Sequence, residues 1–230
     1  MTKLGIIGGI GPESTIAYYR LLIAAYREMT SQDGSPPILI NSIDVMRLLD
    51  LAANDRAGLG EYLLAELLVL GKGGATLGLL AANTAHVVFN DIVDRSPIPL
   101  VSIVEATCDA AAALGLKRVG LFGTRFTMQG RFYPEAFEQA GIDVIAPGDE
   151  EQTYIHDKYL SELVNGTFLP RTREALLRIV QNMKERDRVD AVVLAGTELP
   201  LILTDSSAAA VPLLDTTRIH VRAAAKQIWS

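Results

Sequence analysis

Asn83, Thr84 and His86 follow an apolar run that ends in Leu80-Ala81-Ala82, and Thr197 and Glu198 follow another that ends in Leu194-Ala195-Gly196. Each set places hydroxyl or amide donors beside one titratable group, where a buried strand gives way to a loop. His86 has the pKa range for proton transfer or for holding a carboxylate. Glu198, at the first turn of a following helix, is favoured by the helix dipole and could accept a hydrogen bond from a partner such as His86. A Glu and a His facing each other would form an acid/base pair. The plainer alternative is that Asn83, Thr84 and Thr197 are helix caps and that a lone histidine is structural.

Two further loops carry donors. Gly8-Gly9-Ile10-Gly11-Pro12-Glu13-Ser14 follows the first apolar run. Its proline and its glycine spacing spoil the backbone approach a dinucleotide pyrophosphate needs. Exposed amides before a helix that starts with Pro12 still make a seat for a small anion. Gly123-Thr124-Arg125-Phe126-Thr127-Met128 places two hydroxyls and an arginine at another strand exit, donors that suit a carboxylate. Gly9, Asn83, Thr84, Thr124, Thr127 and Arg47 are therefore the candidate ligand-binding residues. Arg125 reads more simply as a solvated charge, and Arg47 and Tyr133 also suit surface or packing roles.

Composition narrows the partners. The chain of 230 residues has a formal net charge of −6, which repels nucleic acid and anionic lipid at long range. A single cysteine, Cys108, excludes an internal disulfide and a thiolate-rich metal site and fits a reducing, cytoplasmic compartment. No apolar stretch approaches the roughly 20 residues a membrane helix needs. Met1-Thr2-Lys3 leads directly into an apolar run, so no leader peptide is expected.

The elements that must position these residues alternate. Short apolar runs at 4–7, 38–43, 76–80, 100–103, 118–122, 144–146, 190–194 and 211–213 read as strands. Segments of helical period lie at 12–29, 59–70, 104–114, 154–164, 171–184 and 218–229. The stretches 44–51 and 152–165 are taken as specificity loops. Continuous apolar strands between helices imply an α/β fold of mainly parallel sheets flanked by helices. Gly5 and Gly8 match Gly120 and Gly123 at a separation of 115, and Leu80-Ala81-Ala82 matches Leu194-Ala195-Gly196 at 114. The repeat predicts two pseudo-symmetric lobes, residues 1–104 plus 212–230 and residues 105–211, with the site in the cleft between them.

The glycine-rich turn, NTAH, GTRFTM, GTELPL and Leu214-Asp215-Thr216-Thr217-Arg218-Ile219-His220, in that order, resemble the aspartate/glutamate racemases that work without pyridoxal phosphate. The resemblance implies a homodimer, no organic cofactor, no metal, and a small amino or carboxylic acid as substrate. In that family two thiols move the α-proton, at the positions matching Ala82 and Gly196; Cys108, in a helical stretch far from both, cannot replace them. Asn165 stands where such racemases often place a lysine. The expected catalytic residues are then His86, Glu198 and Thr197. Three readings stay open. One is an isomerase or a lyase (decarboxylase or aldol-type) acting on a small amino, oxo or hydroxy acid through proton transfer or an enolate. Another is a non-catalytic paralogue that binds such an acid. The third is a racemase by ancestry whose activity is weak or absent, with small residues simply widening the pocket.

Overall fold

Leu4–Gly8 (β1) is buried along its whole length, as expected of an all-apolar run covered on both faces. In a computed structural model, residues 2–203 and 209–229 are described, and the chain divides into two units, residues 1–103 with 217–230 and residues 104–216.

The first unit runs β1, Pro12–Thr30 (α1), Ile38–Ser42 (β2), Val45–Asn54 (α2), Arg56–Lys72 (α3), Leu77–Leu80 (β3), a 3₁₀ turn at Thr84–Val88, Phe89–Ile92 (α4) and Leu100–Val101 (β4). Its four strands are parallel in the order β2-β1-β3-β4. Pro12 opens α1 at a position where its missing N–H costs nothing. Ile7, Leu63, Leu67 and Leu80 pack on one side of the sheet, and Ile6, Tyr18, Leu22 and Leu79 belong to a second apolar cluster.

The second unit begins within Ile103–Ala113 (α5). It continues through Arg118–Gly123 (β5), Arg125–Gln129 (α6), Phe132–Glu138 (α7), Asp143–Ile145 (β6), Asp149–Ser161 (α8), Pro170–Asp187 (α9), Ala191–Ala195 (β7), Leu199–Ile202 (α10) and Leu213–Asp215 (β8). Thr216–Trp229 (α11) then carries the chain back into the first unit. The strands are again all parallel, in the order β6-β5-β7-β8. The two sheets thus share one topology. The repeated glycines fall in β1 and β5, the second strand of each sheet, and Ala82 and Gly196 lie just past β3 and β7, the third.

Two expectations change. Residues 212–216 were assigned to the first lobe; β8 hydrogen-bonds to β7, so they belong to the second unit. The stretch at 44–51, expected as a loop, is mostly helical, while 152–165 is mostly helical as the period at 154–164 predicts. Asp44 caps α2 by accepting from the N–H of Met46 and Arg47, while α8 starts with three acidic residues in its first turn, where the dipole favours them.

Candidate active site

In the first unit, Ala82, Asn83, Thr84 and His86 are all buried just beyond β3. The 3₁₀ turn brings the His86 ring back onto its own strand exit. Nδ1 lies 2.9 Å from the carbonyl of Ala82, which can only accept, so Nδ1 carries the proton. Nε2 accepts the N–H of Ile103, the first residue of α5, at 3.1 Å. That amide is one of those a helix N-terminus leaves without an intrahelical partner. The ring stacks on Phe89 at 5.0 Å. Burial and the nearby His220 lower the His86 pKa to about 3, so it is neutral at working pH.

His220 is bound in the same way. Its Nε2 donates to the carbonyl of Val101 at 2.9 Å, its Nδ1 accepts from the Tyr18 hydroxyl at 2.8 Å, and burial lowers its pKa to about 4. The two rings meet edge to face at 6.0 Å. Together they hold the Val101–Ile103 stretch from both sides, one through a carbonyl and the other through an amide. His220 closes the Leu214–His220 motif, and a histidine in the apolar register of α11 is a signal that a buried polar partner exists.

The other first-unit candidates are varied in setting. Gly9 takes a left-handed φ of 81°, and a Cβ there would lie 2.5 Å from the carbonyl oxygen of Ile43. Its N–H is committed to Thr15 Oγ1 at 2.8 Å, which makes the glycine-rich turn a built corner. Arg47, on α2, is exposed, and its guanidinium lies 4.3 Å over the ring of Tyr62 on α3.

In the second unit, Thr197 and Glu198 are 4% and 1% exposed at the end of β7. Thr197 does not cap α10. Its hydroxyl donates to Glu198 Oε2 at 2.9 Å, and the phenol of Tyr159, from α8, donates to the same oxygen. Two hydroxyls therefore converge on one carboxylate oxygen, a charge-assisted arrangement that fixes its rotamer. Burial, and then the charge of Glu198, push the Tyr159 pKa well above its ordinary value. Tyr159 was not among the sequence candidates. Its position in the buried register of α8 with Gln152 and Ile155 reads as plain core, and only its polar tip, which needs a partner when buried, could have marked it.

At the opening of the same unit, Thr124 and Thr127 are buried with their hydroxyl oxygens 3.2 Å apart, while Arg125 is exposed and its backbone N–H donates to His156 Nδ1 at 3.2 Å. Tyr133 is fully buried beside Phe132 and Phe137. Asn165 turns its amide back to the carbonyls of Leu160 and Ser161, closing the end of α8. Cys108, on α5, is buried against the carbonyl of Ala136. Among the described residues no group of three or more His, Cys, Asp or Glu side chains is placed to hold a metal ion, and no helix is long and apolar enough to cross a membrane.

Two four-stranded parallel sheets of one topology, each with polar residues gathered just past its third strand, define a doubled α/β architecture. The sequence profile described as Asp/Glu/Hydantoin racemase matches residues 7–224, and the chain belongs to this family. An aspartate racemase homologue of Pyrococcus horikoshii OT3 is 32% identical, with a TM-score of 0.84 over 99% of both chains. The broad specificity amino-acid racemase RacX of Bacillus subtilis (strain 168) is 24% identical over 219 residues, 93% of this chain and 92% of that one. Picrophilus torridus aspartate racemase shares the fold, with a TM-score of 0.78 at 22% identity, over 99% of this chain and 94% of that one.

Proposed function

We propose that the protein acts on a small amino, oxo or hydroxy carboxylic acid by cofactor-independent proton transfer or enolate chemistry, as an isomerase or a lyase. The observation that carries this reading is the buried Glu198 carboxylate past β7, fixed by the Thr197 and Tyr159 hydroxyls. Family membership supports the substrate class. In this reading Ala82 and Gly196 stand where relatives carry the two thiols, and Glu198 takes over a proton-moving part.

Glu198 removes the α-proton, the C–H electron pair passes into the substrate carboxyl as an enediolate, solvent water protonates the opposite face of that enediolate, and Glu198 gives its own proton up to solvent. In the aldol-type lyase variant Glu198 takes the proton of a β-hydroxyl, the C–C bond breaks as that oxygen becomes a carbonyl and the fragment bearing it departs, and the protonated Glu198 returns the proton to the enolate carbon left behind; in decarboxylation CO2 departs, the bond's electron pair stays as the enolate, and the proton is drawn from solvent. Thr197 orients the carboxylate. His86, with both ring nitrogens engaged by backbone, positions the Ala82–Thr84 exit, and Gly9, Asn83, Thr84, Thr124 and Thr127 are the proposed substrate-binding residues. Arg47 anchors a substrate carboxylate, its guanidinium steadied on Tyr62.

The test is α-proton exchange in heavy water, followed by NMR over aspartate, glutamate and a panel of 2-oxo and 2-hydroxy acids. We expect deuterium uptake or product from at least one acid, and a loss of 100-fold or more in E198Q, about 3 kcal/mol of barrier. Turnover that survives E198Q overturns the assignment of the base. The tied-down ring of His86 favours a second reading, a paralogue that binds the acid without converting it. Calorimetric binding of a panel acid with no exchange identifies that case. We extend the proposal to a homodimer in the cytoplasm, and light scattering that gives the mass of one chain overturns its dimeric part.

A further inference from the structure

Gly196 has no side chain, yet the space beside it is full. A Cβ built there would lie 2.5 Å from Tyr159 Cε2, 3.1 Å from Tyr159 Cζ and 3.2 Å from Leu199 Cδ1. Contacts under about 3 Å require the neighbour to move, and this neighbour is poorly able to. Tyr159 is 7% exposed and packs in a core cluster with Ile155, Leu163 and Leu199. Its phenol also donates to the Glu198 carboxylate. Moving the ring away from position 196 breaks that bond.

We propose that Tyr159 is the positioning residue of the β7 exit: its ring takes the space a side chain at 196 would fill, and its hydroxyl sets the carboxylate of Glu198. A thiol at 196 and a phenol-anchored Glu198 are then alternative solutions at one place. The second half of this inference rests on the proposed role of Glu198 as the base. The phenol stays protonated across the working pH range, since burial and the adjacent charge both disfavour the phenolate, so it serves as a hydrogen-bond donor and does not itself ionise.

The test has a part that needs no substrate. Thermal midpoints are measured for G196A, Y159A and the double variant, with Y159F as the conservative control that keeps the ring. G196A is expected to lower the midpoint by several degrees, to do so equally in the Y159F background, and to cost little once Y159A has cleared the space. Additive midpoints overturn the steric half. In protein labelled with [4-¹³C]tyrosine, the Tyr159 ring resonance, assigned by its loss in Y159F, is expected to shift in E198Q and in T197A. A resonance indifferent to both overturns the positioning half, and this reading holds even if Y159A does not fold.

For an acid that exchanges its α-proton, removing a donor from the carboxylate makes Glu198 more basic. Y159F should therefore move the acid limb of the pH profile about one unit upward and lower the exchange rate 10-fold or more. A merely structural tyrosine would lower the yield of active protein and leave the limb in place, which would also overturn the positioning half. If no acid exchanges with the wild-type protein, the proposed function falls, while the midpoints and the ring resonance still decide the inference about Tyr159.

Discussion

The two residues that sequence chemistry brings forward most strongly, His86 and Glu198, end in opposite situations. A histidine next to a strand exit invites the role of general base, but this imidazole spends both nitrogens on backbone groups, the carbonyl of Ala82 and the amide of Ile103. Its contribution is to satisfy two buried polar groups at once. Replacing it by alanine leaves both without that partner, and H86A is expected to lose about 2–4 kcal/mol of stability in urea unfolding. A loss below about 0.5 kcal/mol would show that water replaces the ring easily. Glu198 keeps the carboxylate chemistry that its sequence position suggests, though its partners are Thr197 and Tyr159. The spacing of Thr197 and Glu198 was legible because adjacent residues share one loop; Tyr159 lies 39 residues away on another helix, and no local pattern announces it.

At the scale of elements, one hydroxyl ties the start of α1 to the exit of β3 and another ties the start of α11 to β7. Ser14 Oγ, in the first turn of α1, donates to the carbonyl of Ala81 at 2.9 Å. Thr216 Oγ1, opening α11, donates to the carbonyl of Leu194 at 2.9 Å. Both hydroxyls are fully buried. These bonds fix where the loops leave the sheets, so S14A and T216V are each expected to lower stability by about 1 kcal/mol, read as an earlier urea midpoint with an unchanged slope. A changed slope would mean that the element itself had loosened. The strands were readable from apolar runs alone, because a parallel strand covered on both faces needs no alternation. In α2, Val45, Leu48, Leu49 and Ala52 do recur at helical spacing, and what starts the helix is the side chain of Asp44 on two backbone amides.

For the molecule as a whole, the buried histidines link stability to pH. Their folded pKa values, about 3 for His86 and about 4 for His220, lie below the ordinary 6.5. Above pH 6.5 neither state takes up the proton, and the full stability is present. As the pH falls from 6.5 toward the folded values, only the unfolded chain binds protons, so stability is lost progressively through that window. At pH 5 the loss is at most about 2 kcal/mol per ring. Urea midpoints measured from pH 7.5 to 5 should fall accordingly, and H220Q should flatten the slope by about half relative to its own value at pH 7.5. A flat profile for the wild-type protein would place both rings in contact with water.

The order of apolar runs, the glycine repeat at a separation of 115 and the two polar clusters were fixed by covalent sequence, since strand burial, tight turns and strand exits depend on residues close along the chain. Tertiary structure alone decided three things: that β8 adds to β7 and so takes residues 212–216 into the second unit, that His86 is bound on both nitrogens, and that a tyrosine from α8 fills the space beside Gly196. Each depends on groups from separate elements packing at close range, and the identity of such neighbours is set by how sheets and helices stack, which local periodicity does not encode.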